Sequence, residues 1–284
     1  MERVELGWRA ADGVSLYGQG WQPQGEPLAV VCLVHGQGEH SGRYAGLAAA
    51  LVQAGYAALA LDLRGHGRSQ GRRGHTPSYD AWLDDVARLL QEAARRFPGR
   101  PRFLYGHSMG GNLVLGYALR RRTGTTPPGL AGVIASSPWL RLAFEPPRWK
   151  ITLAEVMDRL WPAYAQASTL DPHSLSRDPE IVRALQDDPL AHDRVSARLY
   201  LSAYRAGRWA LAHAAEFPVP VLLMHGSADR VSDAAATRLF AERVPGDCTF
   251  KLWEGFYHEL HNEPERQDVF RFVAGWLQAH LPAA

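Results

Sequence analysis

The segment Gly106-His107-Ser108-Met109-Gly110 carries the clearest chemistry in this chain. Glycines on both sides of a serine permit a strained strand-to-helix turn that exposes its hydroxyl as a nucleophile. A chain of 284 residues with 27 glycines makes about 0.1 such matches by accident, so context decides. Residues 102–105 read as a strand and residues 108–122 as a helix bearing Leu113, Val114 and Leu115, which is the context the motif needs. A serine hydroxyl is a poor nucleophile until a base takes its proton, and the base needs a third group to hold its tautomer. The apolar run 221–224 leads into His225-Gly226-Ser227-Ala228-Asp229-Arg230. Asp229 therefore sits on the loop leaving a strand's C-terminal end, where open α/β sheets build their sites. Asp233 is its competitor and better fits the start of the next helix. The strand 249–253 leads to Tyr257-His258-Glu259-Leu260-His261. There His258, nearer the strand's end, reads as the base and His261 as its rival. His35, His107 and His225 flank tight glycine turns and read as structural hydrogen-bonders.

The tetrahedral intermediate of acyl transfer needs two donors aimed at its oxyanion. One is the backbone N–H of Met109, the residue after the serine. The other comes from His35-Gly36-Gln37-Gly38, with the N–H of Gln37 as the candidate. A nucleotide loop is the weaker reading, because G-x-G-x-x-G and the Walker lysine are absent.

The elements that must position these residues follow an alternating rhythm. Residues 4–9 and 14–21 read as a hairpin around Ala11-Asp12-Gly13. The run 28–34 is apolar throughout, as in a strand buried on both faces. The apolar stretch 45–61 falls short of the roughly 20 residues of a membrane span; it divides into a helix ending near Gly55 and a strand. Residues 79–97 form an amphipathic helix with Trp82, Val86, Leu89, Leu90, Ala93 and Phe97 on one stripe and Ser78 as N-cap. A strand at 132–135 follows. The rhythm breaks over 139–215, which has helical fragments and no strand-like run, and resumes with a strand at 221–224, a helix at 233–244, a strand at 249–253 and a helix at 265–280. The fold class is α/β: a doubly wound, mostly parallel sheet with a helical insertion after about its sixth strand.

Composition narrows the function classes. At 46% hydrophobic and 21% charged, the chain builds a large core and is not disordered. A net charge of +2 gives no field for nucleic acid, and the Arg120-Arg121-Arg122 run reads as a solvated helix end. Two cysteines, Cys32 and Cys248, argue against a disulfide scaffold or a zinc cluster, and no metal site is expected. The opening residues 1–6 carry no apolar signal region, so a cytoplasmic protein, at most peripheral to a membrane, is expected.

Taken together, the blocks His35–Tyr44, Leu61–Ser69, Gly106–Gly111, Gly226–Arg230 and Tyr257–His261 resemble the monoacylglycerol lipase group of α/β-hydrolases, which is similar to serine hydrolases and lysophospholipases. The resemblance implies an eight-stranded α/β-hydrolase sheet with a core over 1–138 and 216–284 and a cap over 139–215. It implies the triad Ser108, Asp229 and His258, and no cofactor. The implied substrate is a lipid ester, a monoacylglycerol cleaved through an acyl-enzyme. Lysophospholipase or short-chain carboxylesterase activity is the alternative, with peptidase or non-catalytic binding behind it. The implied cap lines an acyl tunnel with residues such as Leu142, Phe144, Ile151, Leu160 and Trp161. The same stripe, which includes Trp139, Leu140, Leu153 and Val156, equally reads as packing of the cap onto the sheet. Glu39 and Arg43 are implied at the polar end where glycerol leaves, or as caps of the helix that follows. The cap's Leu, Trp and Arg residues suit transient docking on a lipid surface without an anchor.

Overall fold

The computed structural model describes residues 2–120 and 130–282. Strands β1 (Glu2–Arg9) and β2 (Ser15–Gln22) pair antiparallel across the turn that Asp12-Gly13 shapes, Gly13 taking φ +85°. Then come β3 (Val30–Val34), α1 (Ala45–Gln53), β4 (Ala57–Leu61), α2 (Tyr79–Arg96), β5 (Arg102–His107), α3 (Met109–Arg120) and β6 (Leu130–Ser136). The chain next leaves the sheet for an insertion containing α4 (Arg148–Leu160), β7 (Ala165–Ala167), α5 (Pro179–Gln186), β8 (Arg194–Ser196) and α6 (Ala197–Ala212). It returns with β9 (Val221–Gly226), α7 (Ala234–Arg243), β10 (Cys248–Trp253) and α8 (Arg266–Ala279).

The main sheet has eight strands in the order β1-β2-β4-β3-β5-β6-β9-β10. All neighbours from β4 onward pair in parallel, so the C-terminal ends of β3, β5, β6, β9 and β10 share one edge. Period-two alternation sends Val30, Cys32 and Val34 to a layer with α2, α3 and α7, and Val31 and Leu33 to a layer with α1 and α8. The amphipathic stripe of α2 is buried from Trp82 to Ala93, and the Ser78 hydroxyl accepts from the Ala81 N–H at 3.1 Å.

Two local expectations need correction. The insertion does contain strands: β7 and β8 pair antiparallel over three residues each. Ala-Gln-Ala and Arg-Val-Ser carry little strand propensity; tertiary docking holds the pair, for instance the Ser196 N–H bonding the Gly74 carbonyl at 2.9 Å. Arg120 is no solvated helix end either, since its guanidinium lies between the rings of Tyr79 and Trp209, at 4.8 and 4.5 Å. Arg121 and Arg122 lie outside the described residues. Among those described, no helix is long and apolar enough to cross a membrane.

Candidate active site

Ser108 sits between β5 and α3 with φ +53°, a left-handed conformation rare for a residue with a side chain. Strain of this kind costs about 1–3 kcal/mol and persists only where its surroundings enforce it. Here the Ser108 N–H bonds the Ser136 carbonyl (3.0 Å), while its own carbonyl accepts from Asn112 (3.0 Å) and Trp139 (2.9 Å). The flanking glycines are sterically required: a Cβ on Gly106 would lie 2.2 Å from the Gly110 carbonyl oxygen, and one on Gly110 would lie 2.1 Å from that of Val34. The turn therefore needs glycine at both positions, and it leaves Ser108 half-buried at the sheet edge while Met109 behind it is fully buried.

Asp229 leaves β9 on a tight loop, and its carboxylate is fully sequestered from solvent. Its Oδ1 accepts the N–H groups of Val231 (2.7 Å) and Ser232 (3.1 Å). Its Oδ2 lies 2.7 Å from Nδ1 of His258, on the loop after β10. Burial alone would raise the Asp229 carboxyl, but His258 and His225 beside it hold it well below the usual carboxylate range. Burial likewise opposes an imidazolium at His258, yet Asp229, with help from Glu259 and Glu39, lifts His258 above the ordinary histidine value. A histidine held by a carboxylate in this way can accept a serine proton and stabilise the charge it acquires. The rival residues are engaged elsewhere. Asp233 caps α7, accepting the Ala235 N–H at 2.8 Å. His261 stacks on Tyr44 with ring centroids 4.6 Å apart, and burial drives its pKa down to about 3.

The loop after β3 runs beside this turn: an added Cβ on Gly36 would come within 3.3 Å of the Ser108 Cβ. Gln37 spends its side chain on the Arg194 carbonyl at 2.9 Å, and the Gly38 carbonyl accepts the His192 N–H at 2.8 Å. Met109 opens α3, so its N–H belongs to the first turn, whose amides find no partner within the helix. Glu39 and Arg43 lie beneath this loop. Glu39 Oε1 accepts the Gly36 N–H (2.6 Å) and the Tyr44 hydroxyl (2.8 Å), and Oε2 accepts from Arg43 Nε (3.1 Å). Arg43 also bonds Glu259 Oε2 at 2.5 Å. One guanidinium thus ties the loop after β3 to the residue beside His258. Neither residue caps the following helical turn, a job done by His40, whose ring accepts the Gly42 N–H.

The apolar stripe of the insertion divides. Trp139 and Leu140 are core residues, and Leu142 packs partly buried against the core. Ile151 is half-buried. Phe144, Leu153, Val156, Leu160 and Trp161 face solvent, Leu160 being 78% exposed. Helix α4 buries no residue at all; Arg205–Glu155 (2.9 Å) and Arg198–Asp158 join it to α6.

Three residues at the site were not singled out by sequence. Ser137, with φ +45°, donates its hydroxyl to the His258 carbonyl at 2.8 Å. Ser232 reaches Asp229 Oδ2 at 2.9 Å. Glu259 takes the Arg43 bond. Ser137 and Glu259 act across elements far apart in sequence, which no spacing rule signals, while the Ser232 contact closes within the loop, three residues from Asp229.

Comparison with known proteins then adds to this geometry. The family model for serine aminopeptidase, S33, matches residues 25–265. The chain is 34% identical to the monoacylglycerol lipase of Mycolicibacterium smegmatis over 98% of both chains. It is 32% identical to the phospholipase YtpA of Bacillus subtilis over 90% of this chain and 97% of that one. Among solved structures, Paleococcus ferrophilus monoacylglycerol lipase superposes with a TM-score of 0.84 at 36% identity, covering 93% of this chain and 99% of that one.

Proposed function

This chain belongs to the serine aminopeptidase S33 family and to the monoacylglycerol lipase group of α/β-hydrolases, and from that premise we propose that it hydrolyses monoacylglycerols to fatty acid and glycerol. The observation carrying the reading is the 2.7 Å Asp229–His258 pair on the same sheet edge as the strained Ser108 turn. In the proposed reaction Ser108 Oγ attacks the ester carbonyl while Nε2 of His258 takes its proton. The N–H groups of Gln37 and Met109 hold the oxyanion, where preorganised donors stabilise charge most. The intermediate collapses as His258 returns the proton to the departing glycerol oxygen. Water, deprotonated by His258, then attacks the acyl-serine and releases the fatty acid. Because the base must be neutral and His258 is held above the ordinary histidine value, kcat/KM should rise with pH to a midpoint above about 6.5. A midpoint at or below that value would contradict the coupling to Asp229.

In this reading residues 139–215 act as a cap over the core formed by 1–138 and 216–284. Leu142 and Ile151, the shielded members of the apolar stripe, line the acyl path, Phe144, Leu160 and Trp161 belong to the lipid-facing surface of the cap, and Glu39 and Arg43 support the polar end from beneath. The exposed stripe of α4 (Trp149, Leu153, Val156, Leu160), flanked by Arg148, Lys150 and Arg159, supports transient docking on lipid. Immersing one such side chain gains about 1.5–3 kcal/mol, against about 0.2–1 kcal/mol for an exposed ion pair such as Arg205–Glu155. Two unbonded cysteines fit action in a reducing cytoplasm.

A phospholipid substrate is the second reading, favoured by the likeness to YtpA. Hydrolysis of 1-oleoylglycerol against a lysophosphatidylcholine of the same chain, with wild type and Ser108→Ala, separates the two. Serine-dependent turnover dominated by the monoglyceride is expected; preference for the lysophospholipid would overturn the assignment and leave the triad standing.

A further inference from the structure

His225, at the end of β9, is fully buried and faces the reaction from behind. Its Nε2 lies 3.0 Å from Asp229 Oδ2, the same oxygen that bonds His258. The other groups near Nε2 are the Ser232 carbonyl (3.2 Å) and hydroxyl (3.3 Å). A carboxylate and a carbonyl only accept, so Nε2 carries the proton and donates. Nδ1 lies 2.8 Å from Thr237 Oγ1 on α7. A neutral ring with its proton on Nε2 accepts there from the threonine hydroxyl. Asp229 and the Ser232 carbonyl thus fix the tautomer, and the Thr237 hydroxyl complements it by donating to Nδ1.

We propose that His225 is a positioning residue for the hydrolysis, its Nε2–H clamping Asp229 Oδ2 so that the carboxylate is held in place for His258. This rests on the triad reading above and extends it by one shell, through Thr237 to α7. The donors on Asp229 then come from three places: the loop itself, through the amides of Val231 and Ser232 and the Ser232 hydroxyl (2.9 Å), His258 after β10, and His225 from the strand. Removing the His225 donor leaves more of the carboxylate's charge to His258. The imidazolium is then better stabilised, and the acid limb of the rate profile moves up. The other titratable groups facing His258 are His107 at the end of β5 (ring centroids 4.7 Å apart), Glu259, Glu39, Arg43 and His261. Every variant below leaves them untouched.

The test compares His225→Leu, His225→Gln and His225→Asn by kcat, KM and the pH profile on a soluble p-nitrophenyl ester, with melting temperatures alongside. A glutamine amide nitrogen reaches the position of Nε2, whereas an asparagine one is too short. The leucine and asparagine variants should lose about tenfold or more in kcat, the worth of a hydrogen bond to a charged group. Their KM should stay within about twofold, and their acid limb should move up by about half a unit. Glutamine should restore most of kcat and return the limb toward wild type. Equal loss in all three variants, or wild-type kcat and limb in His225→Leu, would overturn the proposal. If the leucine variant does not fold, the glutamine–asparagine pair decides alone, by the same two criteria. Asp229→Asn run in parallel separates the two readings. Full activity there removes the triad itself, whereas an inactive Asp229→Asn beside a wild-type-like His225→Leu removes only the role of His225.

Discussion

Helices α3 and α4 are nearly equal in length, 12 and 13 residues, and opposite in environment. From Met109 to Leu119 every residue of α3 is buried, and Asn112 at its first turn bonds the Trp139 and Ala203 carbonyls. No residue of α4 is buried; its apolar side chains face outward, while charged ones reach α6. The first helix follows the serine turn and cannot shift without releasing the strain stored at Ser108. The second presents its apolar face to what lies on it. Chemistry requires a fixed nucleophile, whereas a lipid substrate presents a disordered surface, and the two helices divide those demands.

The sharpest way to break the contrast is at the turn itself. Ser108→Gly should abolish ester hydrolysis, a loss of about 10⁴-fold or more for a missing nucleophile. It should also stabilise the fold by about 1 kcal/mol, because glycine adopts positive φ without strain. A melting temperature raised by about 2 °C in an inactive variant is the expected result, and a lowered one would contradict the stored strain.

A smaller effect comes from one substitution made on both helices. Leu113→Ala in α3 should cost about 2–5 kcal/mol by urea unfolding, since it opens a cavity in a packed layer. Leu160→Ala at the end of α4 should stay within about 0.5 kcal/mol. Similar costs at the two sites would mean that α4 is packed in solution.

The smallest effect, and the one that tests the outward face, is Trp161→Glu. It should lower activity on emulsified monoglyceride severalfold and leave activity on a soluble short-chain ester nearly unchanged. Equal losses on both substrates would remove the docking role of the cap.

Much of this arrangement was legible in the sequence, for reasons that can be named. Gly106 and Gly110 are dictated by contacts that no side chain fits, so the nucleophile turn carries its own signature. Asp229 follows a strand with a continuous apolar run and His258 one that alternates with Thr249 and Lys251, and parallel pairing brings both loops to one edge. Periodicity, however, reports that α4 has an apolar stripe and not which way it faces; the same spacing served a buried face in α2 and an exposed one here. Arg120 looked solvated because nothing local announces Tyr79 and Trp209, 41 and 89 residues away. The bond of His225 to Asp229 spans four residues and depends on how the turn after β9 folds back, whereas the Arg43–Glu259 link depends on the packing of elements 216 residues apart, which no single segment encodes.

The central claim, that Ser108 is the nucleophile of this chain, is tested most directly by covalent labelling. The wild-type protein is treated with a fluorophosphonate ester, and the adduct is located by peptide mass spectrometry. One phosphonyl group per chain is expected, carried by the peptide containing Ser108, with none on Ser108→Ala and slow labelling of His258→Ala. A stoichiometric adduct on another serine, or undiminished labelling of Ser108→Ala, would contradict the account.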